Sequence, residues 1–291
     1  MNRRIVGISI ADAGSISSDT TVKASTAQHL RIPGCWQRYW QVGLVLTLGI
    51  GSAMLMPCDR TLAQSNIVPD GTLGAESSVV IPLDPDLPVD VIDGGTQRGQ
   101  NLFHSFQEFN VSENRGAYFY SPDAAIQNIL ARVTGSNGSA ILGTLGTFGE
   151  SQPSLFLINP NGIIFGPNAN LDIGGSFVAT TANAVGLGET GRFSASEPQT
   201  SNLLAINPNA FFFNQLSNQR EIINRSTATS TVLGVSLNGL PFTYGLQVLD
   251  GRSLLLVGGN VNIEGGIVFA PGGRVELGGL AGAGTVVAWH S

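Results

Sequence analysis

Three groups of residues in this chain have the types that chemistry requires. Asp84, Asp86, Asp90 and Asp93 crowd one short stretch. Clustered carboxylates are the hard oxygen donors that Ca2+ selects. Their spacing does not fit D-x-[DN]-x-[DN]-G, and Pro82, Pro85 and Pro88 stiffen the segment, so it reads as a solvated loop. His104 lies in Phe103-His-Ser-Phe106, where nothing local supplies the nucleophile and orienting acid that a catalytic histidine needs. Gly186-Leu-Gly-Glu-Thr-Gly191 matches G-x-G-x-x-G literally. A dinucleotide fingerprint must follow a strand and open a helix, and Arg192–Ser196 followed by Pro198 opens none. No catalytic residue, cofactor or metal is therefore assigned.

The beginning of the chain narrows the function further. Arg3, Arg4, Lys23, Arg31 and Arg38 precede an uncharged apolar run, Val42–Met56, followed by Thr61-Leu-Ala63. A basic region, an apolar region and small residues in that order spell a secretory signal peptide, here residues 1–63 with cleavage expected after Ala63. The apolar run falls short of the roughly 20 residues of a membrane span. Pro57 before Cys58 is wrong for a lipoprotein site. Removing the leader takes away Cys35, Cys58 and Lys23, leaving no cysteine or lysine, and 8 arginines against 17 carboxylates, net −9. Such a chain can form no disulfide and carries neither a P-loop nor a Schiff-base lysine. Its charge opposes nucleic-acid binding.

The elements that would position any site are short strands. Leu155–Phe177 holds three apolar runs, Leu155–Ile158, Ile163–Phe165 and Leu171–Ile173, cut by Asn-Pro-Asn-Gly, Gly-Pro-Asn-Ala-Asn and Gly-Gly. This is strand-and-tight-turn grammar. It reads as one turn of a β-solenoid. Glycine pairs at 258/259, 265/266, 272/273 and 278/279 repeat the grammar, enclosing Val261–Ile263, Ile267–Phe269 and Val275–Leu277. The calcium-binding nonapeptide needs a third glycine and an aspartate that are absent here. Asn202–Phe213 echoes the first stretch through Asn207-Pro-Asn209, which suggests internal repetition, and Gln215–Ser226 reads as a polar surface excursion. Ser77–Ile81 and Val89–Ile92 read as strands of a capping segment, with the prolines confining it to edges. The aromatic stretch Asn101–Tyr120 is expected to plug the end of the core. With no helical periodicity after the leader, the fold class is all-β. At about 20–25 residues per turn, residues 64–291 would hold roughly nine or ten turns.

Phe103-His-Ser-Phe106 before Phe109, Ile129-Leu-Ala-Arg132-Val-Thr-Gly135 and Asn159-Pro-Asn-Gly-Ile163 together resemble the filamentous-haemagglutinin N-terminal domain, the TPS domain of two-partner secretion exoproteins. The resemblance runs from about Asn66 to Gly282. It implies a right-handed parallel β-helix with an N-terminal cap. It also implies recognition in the periplasm by the POTRA domains of an outer-membrane TpsB-type transporter, after passage through the Sec translocon and signal peptidase. Asn159, Pro160, Asn161, Gly162 and Ile163 match the more diagnostic of two family motifs and are the candidates for transporter recognition. The second motif, Asn-Pro-Asn-Leu, is not present as such, and Asn207-Pro-Asn-Ala210 lies on the wrong side of the first to replace it. The expected protein is secreted or surface-exposed, binds no nucleic acid or small-molecule substrate and is not an enzyme.

Two rivals come from other classes. A surface adhesin or haemagglutinin-like module would use the exposed faces of the helix, and would separate from the first reading in a cell-binding assay. A polysaccharide lyase would need clustered carboxylates and a basic proton abstractor, which a lysine-free chain with scattered arginines scarcely offers. The final stretch, Gly284–Ser291, reads as a rung begun without a cap, the expectation for a domain cut short of a longer exoprotein.

Overall fold

The computed structural model describes residues 64–214, 220–240 and 242–287. The leader, both cysteines and the cleavage position after Ala63 lie outside the described residues. The chain begins with β1 (Asn66–Pro69), β2 (Ser78–Pro82), β3 (Val89–Gly94), β4 (Thr96–Arg98), β5 (Asn101–Asn110) and β6 (Gly116–Ser121). There follow β7 (Asn128–Val133), β8 (Ser139–Ile141), β9 (Thr144–Gly149), β10 (Ser154–Ile158), β11 (Ile163–Phe165), β12 (Asn170–Asp172) and β13 (Phe177–Thr180). Next come β14 (Ala184–Leu187), β15 (Gly191–Ser194), β16 (Pro208–Phe213) and β17 (Glu221–Asn224). Last are β18 (Leu246–Gln247), β19 (Leu254–Gly258), β20 (Asn260–Ile263), β21 (Val268–Phe269), β22 (Val275–Gly279) and β23 (Gly284–Val287).

These strands wind a parallel β-helix. Its first side stacks β5, β7, β10, β13, β19 and β22 in parallel. Its second stacks β8, β11, β17 and β20, and its third stacks β3, β6, β9 and β12. Leu155–Phe177 is one full turn, with β10, β11 and β12 on the three sides and β13 directly above β10. The glycine pairs mark another turn: Leu254 of β19 lies beneath Val275 of β22, and Gly265 and Gly272 turn corners at φ 73° and 59°. A positive φ at a corner costs glycine little and other residues more.

Strands of the first side are apolar on both faces because both faces are covered. Leu102, Ile129, Ala131, Leu155, Leu157, Phe177 and Leu254 point into the helix core. The residues between them, Phe103, Leu130, Phe156, Val178 and Val257, point outward into a second core. An antiparallel sheet of β15, β14, β16 and β23 covers that outer face with Val185, Phe193, Phe211 and Phe213. Each such side chain sealed from water contributes about 1.5–3 kcal/mol. Continuous apolar runs are the mark of strands buried on both faces.

The N-terminal end is closed by antiparallel pairing. β1 and β4 pair with β5, and β2 pairs with β3 at the edge of its sheet. Phe106, Phe109 and Phe119 fill the core just inside, with centroids of the first pair 5.0 Å apart.

Several expectations are corrected. The first side stacks six parallel strands among the described residues, not nine or ten turns, because long insertions interrupt the winding. Asn202–Phe213 is no repeat of the corner: β16 is antiparallel to β14 in the covering sheet. Gln215–Ser226 is not wholly an excursion, since β17 is a rung with Ile222, Ile223 and Asn224 buried. Polar flanks hide this strand, whose apolar core is only two residues long. Gly284–Val287 does not begin a rung, because β23 leaves the helix to pair antiparallel with β16.

Candidate functional site

Asn159 directly follows β10 and starts a tight turn whose shape its side chain sets. Its Oδ1 accepts the Asn161 N–H at 2.9 Å, and its backbone carbonyl accepts the Gly162 N–H at 3.1 Å. Asparagine does this because its short side chain mimics a backbone carbonyl. Pro160 supplies a fixed φ for the turn, and Gly162 closes it at φ 112°, a region side chains avoid. Ile163 then enters β11 and the core.

The same corner clamps the turn below. Asn159 Nδ2 donates to Asn137 C=O and Ser139 Oγ, each at 3.0 Å, and Asn161 Nδ2 donates to Gly135 C=O at 2.8 Å. The Ser139 N–H donates to Gly162 C=O at 3.0 Å, and the Asn159 N–H reaches up to Thr180 C=O at 3.0 Å. Asn159, Pro160, Gly162 and Ile163 are buried and Asn161 is half-buried. The motif therefore faces inward, with its amides already occupied.

Below the corner sits Arg132, on β7 directly opposite Ile158 in the register. It is fully buried, yet it is well supplied with partners. Nε donates to Ser105 Oγ at 2.8 Å, Nη1 to Ser194 C=O and Ser201 Oγ at 2.7 Å each, and Nη2 to Thr72 Oγ1 at 2.8 Å. The guanidinium also lies 4.4 Å over the Phe193 ring. Asp70 balances the charge at one remove: it accepts from Ser105 Oγ at 2.9 Å, from the Thr72 N–H at 2.9 Å and from Thr134 Oγ1. Burial alone would raise the Asp70 carboxyl, but the hydrogen bonds from Thr134, Thr72 and Ser105 outweigh it and hold it below its ordinary value. Burial lowers Arg132 to about 10, which Asp70 partly opposes, so it stays charged at neutral pH.

Three separate sequence motifs thus meet in space. Ser105 of Phe103-His-Ser-Phe106, in the middle of β5, meets Arg132 and Gly135 of the second motif and Asn159 and Asn161 of the third, which lie at or just past the ends of β7 and β10. Gly135 has no room for a side chain, since a Cβ there would lie 2.1 Å from Gln107 C=O.

The remaining candidates are structural. His104 is buried beneath the cap, Nδ1 3.0 Å from Ser78 Oγ and its ring edge-on to Phe119, and burial pushes it down to about 3. Gly186–Gly191 is the turn of the β14–β15 hairpin, with Leu187 opposite Gly191. Asp90 forms an ion pair with Arg115 at 2.9 Å, while Asp84 accepts the Asp86 N–H in an exposed turn. A buried carboxylate the sequence did not single out, Asp172, holds the distant loop ahead of β18 through Ser236 Oγ, the Leu237 N–H at 2.8 Å and Asn238. Tyr118 also donates to it at 3.1 Å, and burial, then this carboxylate, raise the phenol. An asparagine ladder likewise escaped notice: Asn128 donates to Asn101 and to Asn207, each at 2.9 Å, tying the covering sheet to the helix. The only sequence signal was that Asn101 and Asn128 each open a strand of the first side.

The family model of the TPS secretion domain matches residues 65–288, which spans the helix, its cap and the covering sheet. The chain belongs to the TPS secretion domain family. A stretch of this chain is also 37% identical over 102 residues to the heme/hemopexin-binding protein of Haemophilus influenzae (strain ATCC 51907 / DSM 11121 / KW20 / Rd). That stretch covers 34% of this chain and 10% of that protein. TPS exoproteins are secreted, and the family implies an outer-membrane transporter of the TpsB type as partner.

Proposed function

We propose that this chain is the secretion module of a two-partner secretion exoprotein. In this reading it passes the Sec translocon, loses its leader after Ala63, and is engaged in the periplasm by the POTRA domains of its TpsB-type transporter. It is then delivered to the cell surface or the medium. The module binds and is carried, and catalyses nothing. The observation that supports this best is the convergence of the three family motifs where β7 and β10 end beside the middle of β5, and where cap, helix and covering sheet are joined.

Asn159, Pro160, Asn161, Gly162 and Ile163 serve recognition by fixing the corner rather than by lending side chains to the transporter. Their amides are committed to Asn137, Ser139 and Gly135, and Asn161 alone of the five is half-exposed. The test is a pull-down of the exported chain with purified POTRA domains, together with an assay of its arrival outside the outer membrane. Asn159→Ala and Asn161→Ala should weaken both. Variants that keep a parent-like fold and still bind and travel as the parent does would remove the corner from recognition. A parent chain that does not bind would remove the module reading itself.

Haem and hemopexin binding belong to the name of the relative. The histidine among the described residues, His104, is fully buried beneath the cap, so no haem ligand is proposed from it.

A further inference from the structure

The outer edge of β2 is unpaired among the described residues, and its ladder shows which groups it offers. The Leu83 N–H donates to Val89 C=O at 2.9 Å and the Gly95 N–H to Ser77 C=O at 3.2 Å, with Val79 opposite Asp93 and Ile81 opposite Val91. In an antiparallel ladder, alternate residues turn both backbone groups toward the partner and those between turn them away. Ser77, Val79, Ile81 and Leu83 therefore face β3, and Ser78, Val80 and Pro82 point outward. Ser78 is buried and Val80 is half-buried with its side chain against the helix core, so the outward backbone groups left on this edge are Val80 N–H and C=O and Pro82 C=O. None of these has a backbone partner among the described residues.

Around this edge the surface is apolar. Val79 and Ile81 are about half exposed, at 48% and 47%, and Leu83 and Leu87 are exposed beyond them. Its charge has one sign. Glu76–Asp93 contains five carboxylates and no basic residue. Glu76 pairs with Arg98 and Asp90 with Arg115, leaving Asp84, Asp86 and Asp93 outside any ion pair among the described residues. The edge is short and ends in proline, features that discourage indiscriminate pairing. A second copy would bring the same carboxylates against these. The surface instead fits an extended strand with apolar side chains and flanking lysine or arginine.

The geometry points to β2 as the edge on which the transporter's periplasmic domains add such a strand, with Val80 at the centre of the new ladder. This rests on the secretion-module reading. Main-chain bonds to Val80 and Pro82 supply affinity, Val79, Ile81 and Leu83 supply apolar contact, and the carboxylates supply charge matching.

The test uses the full exported chain and the soluble POTRA domains of its transporter. Val80→Pro removes one outward N–H and blocks the edge, while leaving every N–H that faces β3 intact. It should bind at least tenfold more weakly than the parent with an unchanged circular dichroism spectrum. The Asp84→Lys, Asp86→Lys, Asp93→Lys variant leaves the ladder alone and tests the same face should Val80→Pro fail to fold. It should bind tenfold more weakly at low salt, with the difference shrinking as salt rises. Hydrogen exchange on the parent should show the Val80 amide open when free and protected when bound. A parent that binds, with variants that bind equally and a Val80 amide still open, overturns this inference and leaves the secretion reading standing. A parent that does not bind overturns both.

Discussion

Arg132 Nη2 meets Thr72 Oγ1 at 2.8 Å across 60 residues of chain, while the same guanidinium reaches Ser194 C=O on the covering sheet. One side chain thus ties the cap, the first side of the helix and the sheet that shields it. Arg132→Ala should cost about 3–5 kcal/mol, because it strands the Ser194 carbonyl and the half-buried Asp70 without their cation. Arg132→Lys should recover little, since an ammonium cannot present the planar fork that four acceptors share here. Urea unfolding of the two variants beside the parent checks both statements.

His104 gives the fold an acid-side weakness. Its value falls from 6.5 to about 3 on folding, because burial disfavours the charged ring. The unfolded chain therefore takes up a proton near pH 6.5 that the native chain refuses until about pH 3. Stability should fall by roughly 3–5 kcal/mol as pH drops through that window and then level off. Asp70, held below 3.8, stabilises the fold above its unfolded value and loses that contribution as pH falls through its folded one. Comparing the parent with His104→Gln cancels the Asp70 part. The glutamine variant should show a flatter dependence of urea midpoint on pH between 4 and 6.5, and an equal slope would refute the assignment.

Much of the helix was legible because its turns are cut by residues with local causes. Asn159-Pro-Asn-Gly162 makes its corner with its own side chain and φ values, so the reading of Leu155–Phe177 as one turn needed nothing distant. The extent of winding was not legible. β14 and β16 are apolar and alternate like rungs, and only their antiparallel partners exclude them from the helix. The site was half legible for the same reason. Arg132 could be quoted inside a motif, but its partners Thr72, Ser194 and Ser201 are 60 to 69 residues away and bear no local mark. The inward orientation of Asn159 also depends on Ser139, a residue of the turn below.

Asn159→Asp separates the two jobs of that corner. The carboxylate keeps an oxygen for the Asn161 N–H, but loses the donor to Asn137 C=O and Ser139 Oγ and places a charge against a carbonyl. The cost should be about 2–4 kcal/mol, against about 1 kcal/mol for Asn161→Ala, whose amide is half-exposed. Thermal melts of the two variants check the order, and an equal cost would mean that the turn matters more than the clamp on the layer below.

Phe193 tests whether the covering sheet is part of the folding unit. Its ring lies 5.0 Å from Phe103 and under the Arg132 guanidinium, so it fills the second core and seals the junction at once. Phe193→Ala should cost about 3–5 kcal/mol through the cavity it leaves. The loss should appear first as faster amide exchange in β14, β15 and β16, because the helix keeps its own core of Leu155, Leu157, Phe177 and Leu254. Uniform acceleration across the helix and the sheet would instead mean that the two cores unfold as one.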